Sequence, residues 1–231
     1  MEFSSNQPQK GMLDEFPWDL ARTRFVEGKI KTILESFHYL EYDAPVLEDI
    51  EIFSKKSGDE LVREQAYTLT DKGQRELVLR PEMTPSLARM ISQIAREKPR
   101  PYRWYSIPKC YRYERPQKGR LREFRQLNVD LMGDESIYSD FEMCRLVVKI
   151  MRAFGVPDAA FQIRFNHREV LNALLEKQNF SPEKQKWFYR MADRRDKLPK
   201  EVFDQEAAKG LSETEAAFLN QYLEGGETFV N

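Results

Sequence analysis

Between Arg112 and Asp130 the chain reads RYERPQKGRLREFRQLNVD, two runs rich in aromatic and strand-forming residues joined by a short basic loop. The runs, Lys109 to Glu114 and Arg122 to Met132, favour extended backbone, and the loop Arg115-Pro116-Gln117-Lys118-Gly119-Arg120 interrupts them. This predicts a strand, loop, strand unit. Side chains alternate across a strand, so Arg112 and Glu114 are expected on one face, and Arg122, Phe124, Gln126, Asn128 and Asp130 on one face. A fixed guanidinium fork suits phosphate oxygens, and an aromatic ring can stack on a purine. A solvent-facing sheet laced with ion pairs accounts for the same residues.

The rest of the chain places this unit in an antiparallel setting. Gln65 to Leu69 and Glu76 to Arg80 flank the turn Asp71-Lys72-Gly73-Gln74 and read as a hairpin, and Tyr102 to Ile107 reads as a further strand. Leu20, Ile30, Ile33, Leu34 and Phe37 recur at helical spacing, which predicts a helix from about Trp18 to Phe37. His38 to Leu47 is expected to be extended, with Pro45 at an edge or interface. A helix is expected from Thr84 to about Arg96, with Thr84 as N-cap and Pro85 at the first helical position. Ile137 to Phe154 reads as a helix ended by Gly155, Phe161 to Phe165 as a short strand, and another helix as starting near His167. Strands in hairpins with helices grouped between them argue for an α+β fold, an antiparallel sheet flanked by helices. The expected division is a flexible segment 1–10, a core 11–180, and a small helical appendage 181–231 whose polar helices are broken by Pro182, Pro199 and Gly210.

Composition excludes several classes. The chain has 231 residues with 37 basic and 38 acidic side chains, so net charge gives no sign of a nucleic-acid binder and any basic surface must be local. Cys110 and Cys144 lack the paired spacing of a zinc site and suit reduced thiols in a cytoplasmic protein. No stretch approaches the roughly 18 uninterrupted apolar residues of a membrane span, so no membrane partner is expected. There is no G-x-G-x-x-G and no Walker lysine motif, so any nucleotide would be held another way.

RYERPQKGR followed by REFRQ resembles motif 2 of histidyl-tRNA synthetases, LRPEMTPSLARM resembles the segment that opens their histidine pocket, and YDAPVLE resembles class II motif 1. These ordered matches cover about residues 11 to 170. The resemblance implies a class II synthetase-like sheet and an enzyme that makes histidyl-adenylate and passes the histidyl group to tRNA(His). It implies ATP as substrate, Mg2+, and a cytoplasmic homodimer formed through the element around Pro45. It assigns Arg112 to the α-phosphate as the catalytic arginine, Glu114 to the adenine amino group and Phe124 to stacking on adenine. Arg120, with Gln117 and Lys118, would approach the triphosphate or the acceptor end of the tRNA. Glu82, Thr84 and Gln126 would bind histidine, and Asp130 would face its imidazole. Arg80 is open between a substrate contact and a strand-end ion pair. His38 and His167 match no catalytic position in this resemblance, and the mixed charges from Arg190 to Lys197 read as a solvated helix face or, alternatively, a tRNA contact.

In that family an arginine-containing histidine loop, motif 3 and an anticodon-binding domain follow, and none occurs before Asn231. The expectation is a truncated form with little or no activity alone. Two competing readings are a noncatalytic regulatory paralogue that partners ATP phosphoribosyltransferase in histidine biosynthesis, and an inactive RNA-binding or dimerisation module.

Overall fold

The computed structural model describes residues 6–54, 65–163, 168–195 and 198–224. They form two compact units, residues 1–162 and 163–231.

The first unit opens with helix α1 (Pro17–Ser36), whose Pro17 sits at a helix start that lacks a hydrogen bond donor requirement. Its C-terminus closes at His38, which takes φ +64°. Then come β1 (Leu40–Glu41), β2 (Leu47–Asp49) and the short α2 (Glu51–Ser54). β3 (Tyr67–Thr70) and β4 (Glu76–Leu79) form the expected hairpin, with Leu69 opposite Leu77. Its turn is fixed by Asp71, whose carboxylate accepts from the Gly73 and Arg75 amides at 2.7 and 2.9 Å. α3 (Thr84–Ile94) follows, then β5 (Tyr102–Ser106), β6 (Lys109–Tyr111), β7 (Glu123–Arg125), β8 (Asn128–Met132) and α4 (Ile137–Ala153). Gly155 closes α4 with φ +76°.

The fold is α+β, with strands in three small sheets among the described residues: β1-β5-β8, β2-β4-β3 and β6-β7. Every pairing is antiparallel except β1 with β5. The long extended run Arg122 to Met132 is split: β7 pairs with β6, whereas β8 pairs with β5. At the split, the Gln126 amide donates to the Pro108 carbonyl at 3.1 Å.

The sheet β1-β5-β8 has two different faces. On one, Leu34, Tyr39, Tyr105 and Leu146 pack with Val129 and Leu131 beneath α1 and α4. On the other, Tyr42, Ala44, Met83, Leu87 and Cys110 pack with Trp104, Phe124 and Met132 beneath α3. The period-2 alternation of strands sorts the residues in this way.

Two local expectations are corrected. α3 begins at Thr84 with Met83 as N-cap and no side-chain cap, because the fully buried Met83 anchors the turn and Thr84 lies exposed. Residues 161–163 form no strand, and 164–167, including His167, lie outside the described residues. The segment before α1 is held: Gly11, at φ +86°, accepts through its carbonyl from the Arg122 and Glu123 amides at 2.7 and 3.3 Å. A Cβ at Gly11 would meet Pro116 and Arg122 carbons at 2.9 and 2.8 Å, so both the conformation and the space require glycine.

The second unit contains α5 (Arg168–Lys177), α6 (Pro182–Arg194), α7 (Lys200–Ala208) and α8 (Glu213–Glu224). Ser181 caps α6 by accepting from the Lys184 amide. Leu171 and Leu175 share one core with Phe188, Met191, Phe203 and Leu219. That core places α5 with the helices after it, whereas the sequence reading drew the appendage from residue 181.

Candidate functional site

Arg112 lies just beyond β6, where its amide donates to the Arg122 carbonyl at 2.9 Å and continues the β6-β7 ladder. Its guanidinium sits 5.2 Å from the centre of the Phe124 ring, and its Nε donates to the Pro81 carbonyl at 3.0 Å. Two contacts on different elements therefore orient this cation. Phe124 stands opposite Cys110 in the ladder and packs into the cluster of Tyr42, Met83 and Leu87. Burial pushes the Cys110 thiol up to about 11, so it remains protonated and unreactive at neutral pH.

The loop after Arg112 is a tight reversal. Gln117 and Arg120 exchange backbone hydrogen bonds at 3.1 and 2.9 Å, and Gly119 between them takes φ +80°. Gln117, Lys118 and Arg120 are all exposed. Arg120 Nη1 donates to the Glu114 carboxylate at 3.3 Å. Arg122 Nε donates to the Glu114 carbonyl at 3.1 Å, and its guanidinium lies 4.1 Å from the Tyr113 ring centre. Its Nη1 also donates to the Lys10 carbonyl at 3.4 Å. Arg122 is thus the brace of the loop.

Pro81, Glu82 and Thr84 lead into α3, and Pro81 is fully buried beside the Arg112 contact. Glu82 is half-buried. Arg80 is buried to 3% exposure and gives its donors to the Lys109 and Ala44 carbonyls and to Asp43 Oδ1, at 3.0, 2.5 and 2.6 Å. The structure places it in the strand-end ion pair and not as a free substrate-facing cation. Pro45, between Ala44 and Val46, is exposed.

Just ahead of β8, Gln126 Nε2 donates to Asn128 Oδ1 at 2.8 Å. Asp130 stands opposite Trp104 and is half-buried. Burial raises its carboxyl above the ordinary range, and the neighbouring Tyr42 partly offsets that. The Tyr42 hydroxyl, pushed up to about 12 by burial first and then by Asp130, lies near both Asp130 and Ser106. Neither the Tyr42 nor the Ser106 hydroxyl makes a well-formed hydrogen bond, although both are buried. Tyr42 and Ser106 were not singled out from the sequence as site residues. The signal that could have found Tyr42 was an aromatic in an extended segment one step beyond a sheet edge.

The structure therefore brings Arg112, Phe124 and the Pro81–Thr84 segment together, and it sets Asp130 on the same face of the sheet as the cluster that holds Phe124. Glu114 and Arg120 border this set through the loop. A site with an oriented arginine, an adjacent ring and a half-buried carboxylate can hold an anionic, planar ligand beside one that offers N–H donors.

A sequence profile described as histidyl-tRNA synthetase matches residues 11–231. The chain is 39% identical over 195 residues to a histidine–tRNA ligase of Leptospira biflexa, an alignment covering 84% of this chain and 45% of that relative. It is 31% identical over 227 residues to a histidine–tRNA ligase of Methanococcus vannielii, covering 97% of this chain and 53% of the relative. The chain thus spans about half the length of the curated relatives it matches. Among solved structures, a histidyl-tRNA synthetase from Nostoc sp. PCC 7120 superposes with a TM-score of 0.81 at 21% identity, covering 96% of this chain and 49% of that one. An ATP phosphoribosyltransferase regulatory subunit/histidyl-tRNA synthetase from Bacillus halodurans gives 0.77 at 21% identity, covering 96% and 56%. These two likenesses establish the fold.

Proposed function

The chain belongs to the histidyl-tRNA synthetase family, and on that premise we propose that it supplies the ATP- and histidine-binding part of a histidine–tRNA ligase. The observation that carries this reading is Arg112, held between the Phe124 ring and the Pro81 carbonyl, with Phe124 packed into the cluster that covers the Asp130-bearing face of β1-β5-β8. In the first reaction the histidine carboxylate attacks the α-phosphorus of ATP and pyrophosphate leaves. Negative charge grows on the phosphoryl oxygens as that happens, and a cation already oriented there lowers the barrier without reorganising. That is the role of Arg112. Phe124 stacks on the adenine, and Glu114 accepts from its amino group. Arg120 reaches the triphosphate, and with Gln117 and Lys118 at the exposed loop tip it meets the 3′ end of tRNA(His), to which the histidyl group passes.

Glu82 accepts from the α-ammonium of histidine, with Thr84 and Gln126 completing its polar contacts. Asp130 accepts from the imidazole. A pocket whose buried groups need N–H donors rejects amino acids that cannot supply them. Magnesium ions enter with the triphosphate. Among the described residues no three His, Cys, Asp or Glu side chains group to hold a metal ion. The groups that face phosphate in this reading are arginines. The working form is a cytoplasmic homodimer joined through the segment around Pro45. Among the described residues no helix is long and apolar enough to cross a membrane.

Calorimetric titration of the 231-residue chain with ATP, GTP, histidine and the other amino acids tests this reading. Saturable binding of ATP over GTP, and of histidine over glutamine and asparagine, is the expected result. A chain that binds neither ATP nor histidine, or that binds amino acids without preference, overturns it.

A further inference from the structure

The buried hydroxyls of Tyr42 and Ser106 have no task in the reading above, and neither makes a well-formed hydrogen bond. The sheet fixes where they are. β1 runs parallel to β5 with Leu40 opposite Trp104 and Glu41 opposite Tyr105, and the Tyr42 amide donates to the Tyr105 carbonyl at 2.9 Å. Alternation therefore sends the Tyr42 side chain to the face of Trp104 and Ser106. The antiparallel register sets Asp130 opposite Trp104 and Asn128 opposite Ser106, which puts Asp130 on that face too. The Tyr42 ring lies 5.6 Å from that of Trp104, and its hydroxyl feels both Asp130 and Ser106.

A hydroxyl can donate once and accept twice, whereas an ionised carboxylate only accepts. Two hydroxyls and one carboxylate can thus form an ordered chain, Ser106 to Tyr42 to Asp130, with acceptor capacity left on the carboxylate for a ligand N–H. Buried polar groups in native proteins nearly always find partners, so two unmatched hydroxyls on one face with a half-buried carboxylate point to one another and to that carboxylate as their partners.

We propose that Tyr42 is a positioning residue that acts through Asp130: its hydroxyl donates to the carboxylate, accepts from Ser106, and aims the remaining carboxylate lone pairs at the ring N–H of histidine. This rests on the reading of Asp130 as a histidine contact. It assigns Tyr42, from the segment before β2, a part in amino-acid selection without its touching the amino acid.

Two measurements on the 231-residue chain test it. In the first, tyrosine rings carry 13C and the Tyr42 signal is identified by its loss in Tyr42→Phe, with no histidine present. That signal moves in Asp130→Asn and in Ser106→Ala and stays in place in Asp158→Asn. In the second, calorimetry compares histidine binding by the wild type, Tyr42→Phe, Asp130→Asn and the double variant. Tyr42→Phe weakens histidine about fivefold, the size of one neutral hydrogen bond, with ATP affinity unchanged. The double variant binds no more weakly than Asp130→Asn alone, the signature of two groups acting as one.

A Tyr42 signal indifferent to Asp130→Asn, additive losses in the double variant, or wild-type histidine affinity in Tyr42→Phe each overturn the proposal. A wild-type chain that binds no histidine overturns the histidine reading of the pocket, and the tyrosine signal then decides the Tyr42–Asp130 pairing by itself. Should Tyr42→Phe fail to fold, the Tyr42 signal is assigned by through-bond correlation to its backbone instead, and its response to Asp130→Asn and Ser106→Ala decides the pairing.

Discussion

Tyr39 and Tyr42 stand three residues apart and are buried against opposite faces of the same three strands. On the face under α1 and α4, the Tyr39 hydroxyl donates to Glu142 Oε1 at 2.8 Å, and Glu142 also accepts from Arg103 Nε at 3.2 Å. Burial pushes the Glu142 carboxyl up, but the hydrogen bonds from Arg103 and Tyr39 outweigh it and hold the group below the ordinary range. Tyr105 is matched in the same way, its single hydroxyl proton shared between Glu35 Oε1 and Glu41 Oε2 at 3.2 and 3.4 Å. On the face under α3, the Tyr42 and Ser106 hydroxyls lack well-formed bonds and Asp130 is shifted the other way. On the first face the Tyr39 and Tyr105 hydroxyls are met by carboxylates; on the second the Tyr42 and Ser106 hydroxyls are not. A polar group left unmatched lowers stability, so its retention beside a carboxylate marks the face that serves binding.

The contrast can be broken by substitution. Leu146→Ala, in the satisfied core, is expected to cost about 3 kcal/mol of stability by loss of buried methyl groups and a residual cavity, with ATP affinity per folded molecule unchanged. Denaturant titration paired with calorimetry reads both. Arg112→Ala is expected to do the opposite, weakening ATP about 100-fold, a loss of roughly 2.7 kcal/mol, while the melting temperature stays within a few degrees. Equal losses of stability and binding in either variant would erase the distinction between the faces.

Smaller effects sharpen it. Tyr39→Phe leaves Glu142 short of a donor and is expected to cost about 1.5 kcal/mol, whereas Tyr42→Phe, which removes an unmatched hydroxyl, is expected to fall within about 0.5 kcal/mol of wild type. Chemical denaturation of both variants checks the difference, and equal costs would show the two tyrosines to be equivalent. The smallest effect concerns pH. Because the folded-state pKa of Asp130 is raised, its contribution to stability is full below the ordinary carboxylate pKa of about 3.9 and is lost as pH rises through the folded value. Asp130→Asn abolishes that loss, so its melting temperature should gain on wild type between pH 4 and pH 8. A gain that is flat or reversed across that range contradicts the sign.

The parts of the fold that are local in sequence were legible without coordinates. α1, α4 and the β3-β4 hairpin follow from spacing and turn chemistry, and Asp71 fixes the hairpin with hydrogen bonds spanning at most four residues. The split of Arg122–Met132 between two sheets was not legible, because it depends on pairing to β5 and β6 and not on any breaker within the run. Likewise α5 reads as an ordinary amphipathic helix, and only the shared packing of Leu171 with Phe188 and Leu219 assigns it to the second unit. At the site, the residue types around Arg112 and Asp130 were readable. The engagement of Arg80 by Asp43 and two carbonyls, and the position of Tyr42, needed the long-range register.

The hold of Gly11 on Arg122 and Glu123 has a consequence for synthesis on the ribosome. The partner amides follow Gly11 by about 110 residues, roughly 6 to 22 s of synthesis at ~5–20 residues per second. Through that interval the nascent chain carries an unpaired anchor, and the loop that follows Arg112 emerges only just before it can be clasped. The order of translation thus makes the segment before α1 wait for the start of β7 before it finds its place.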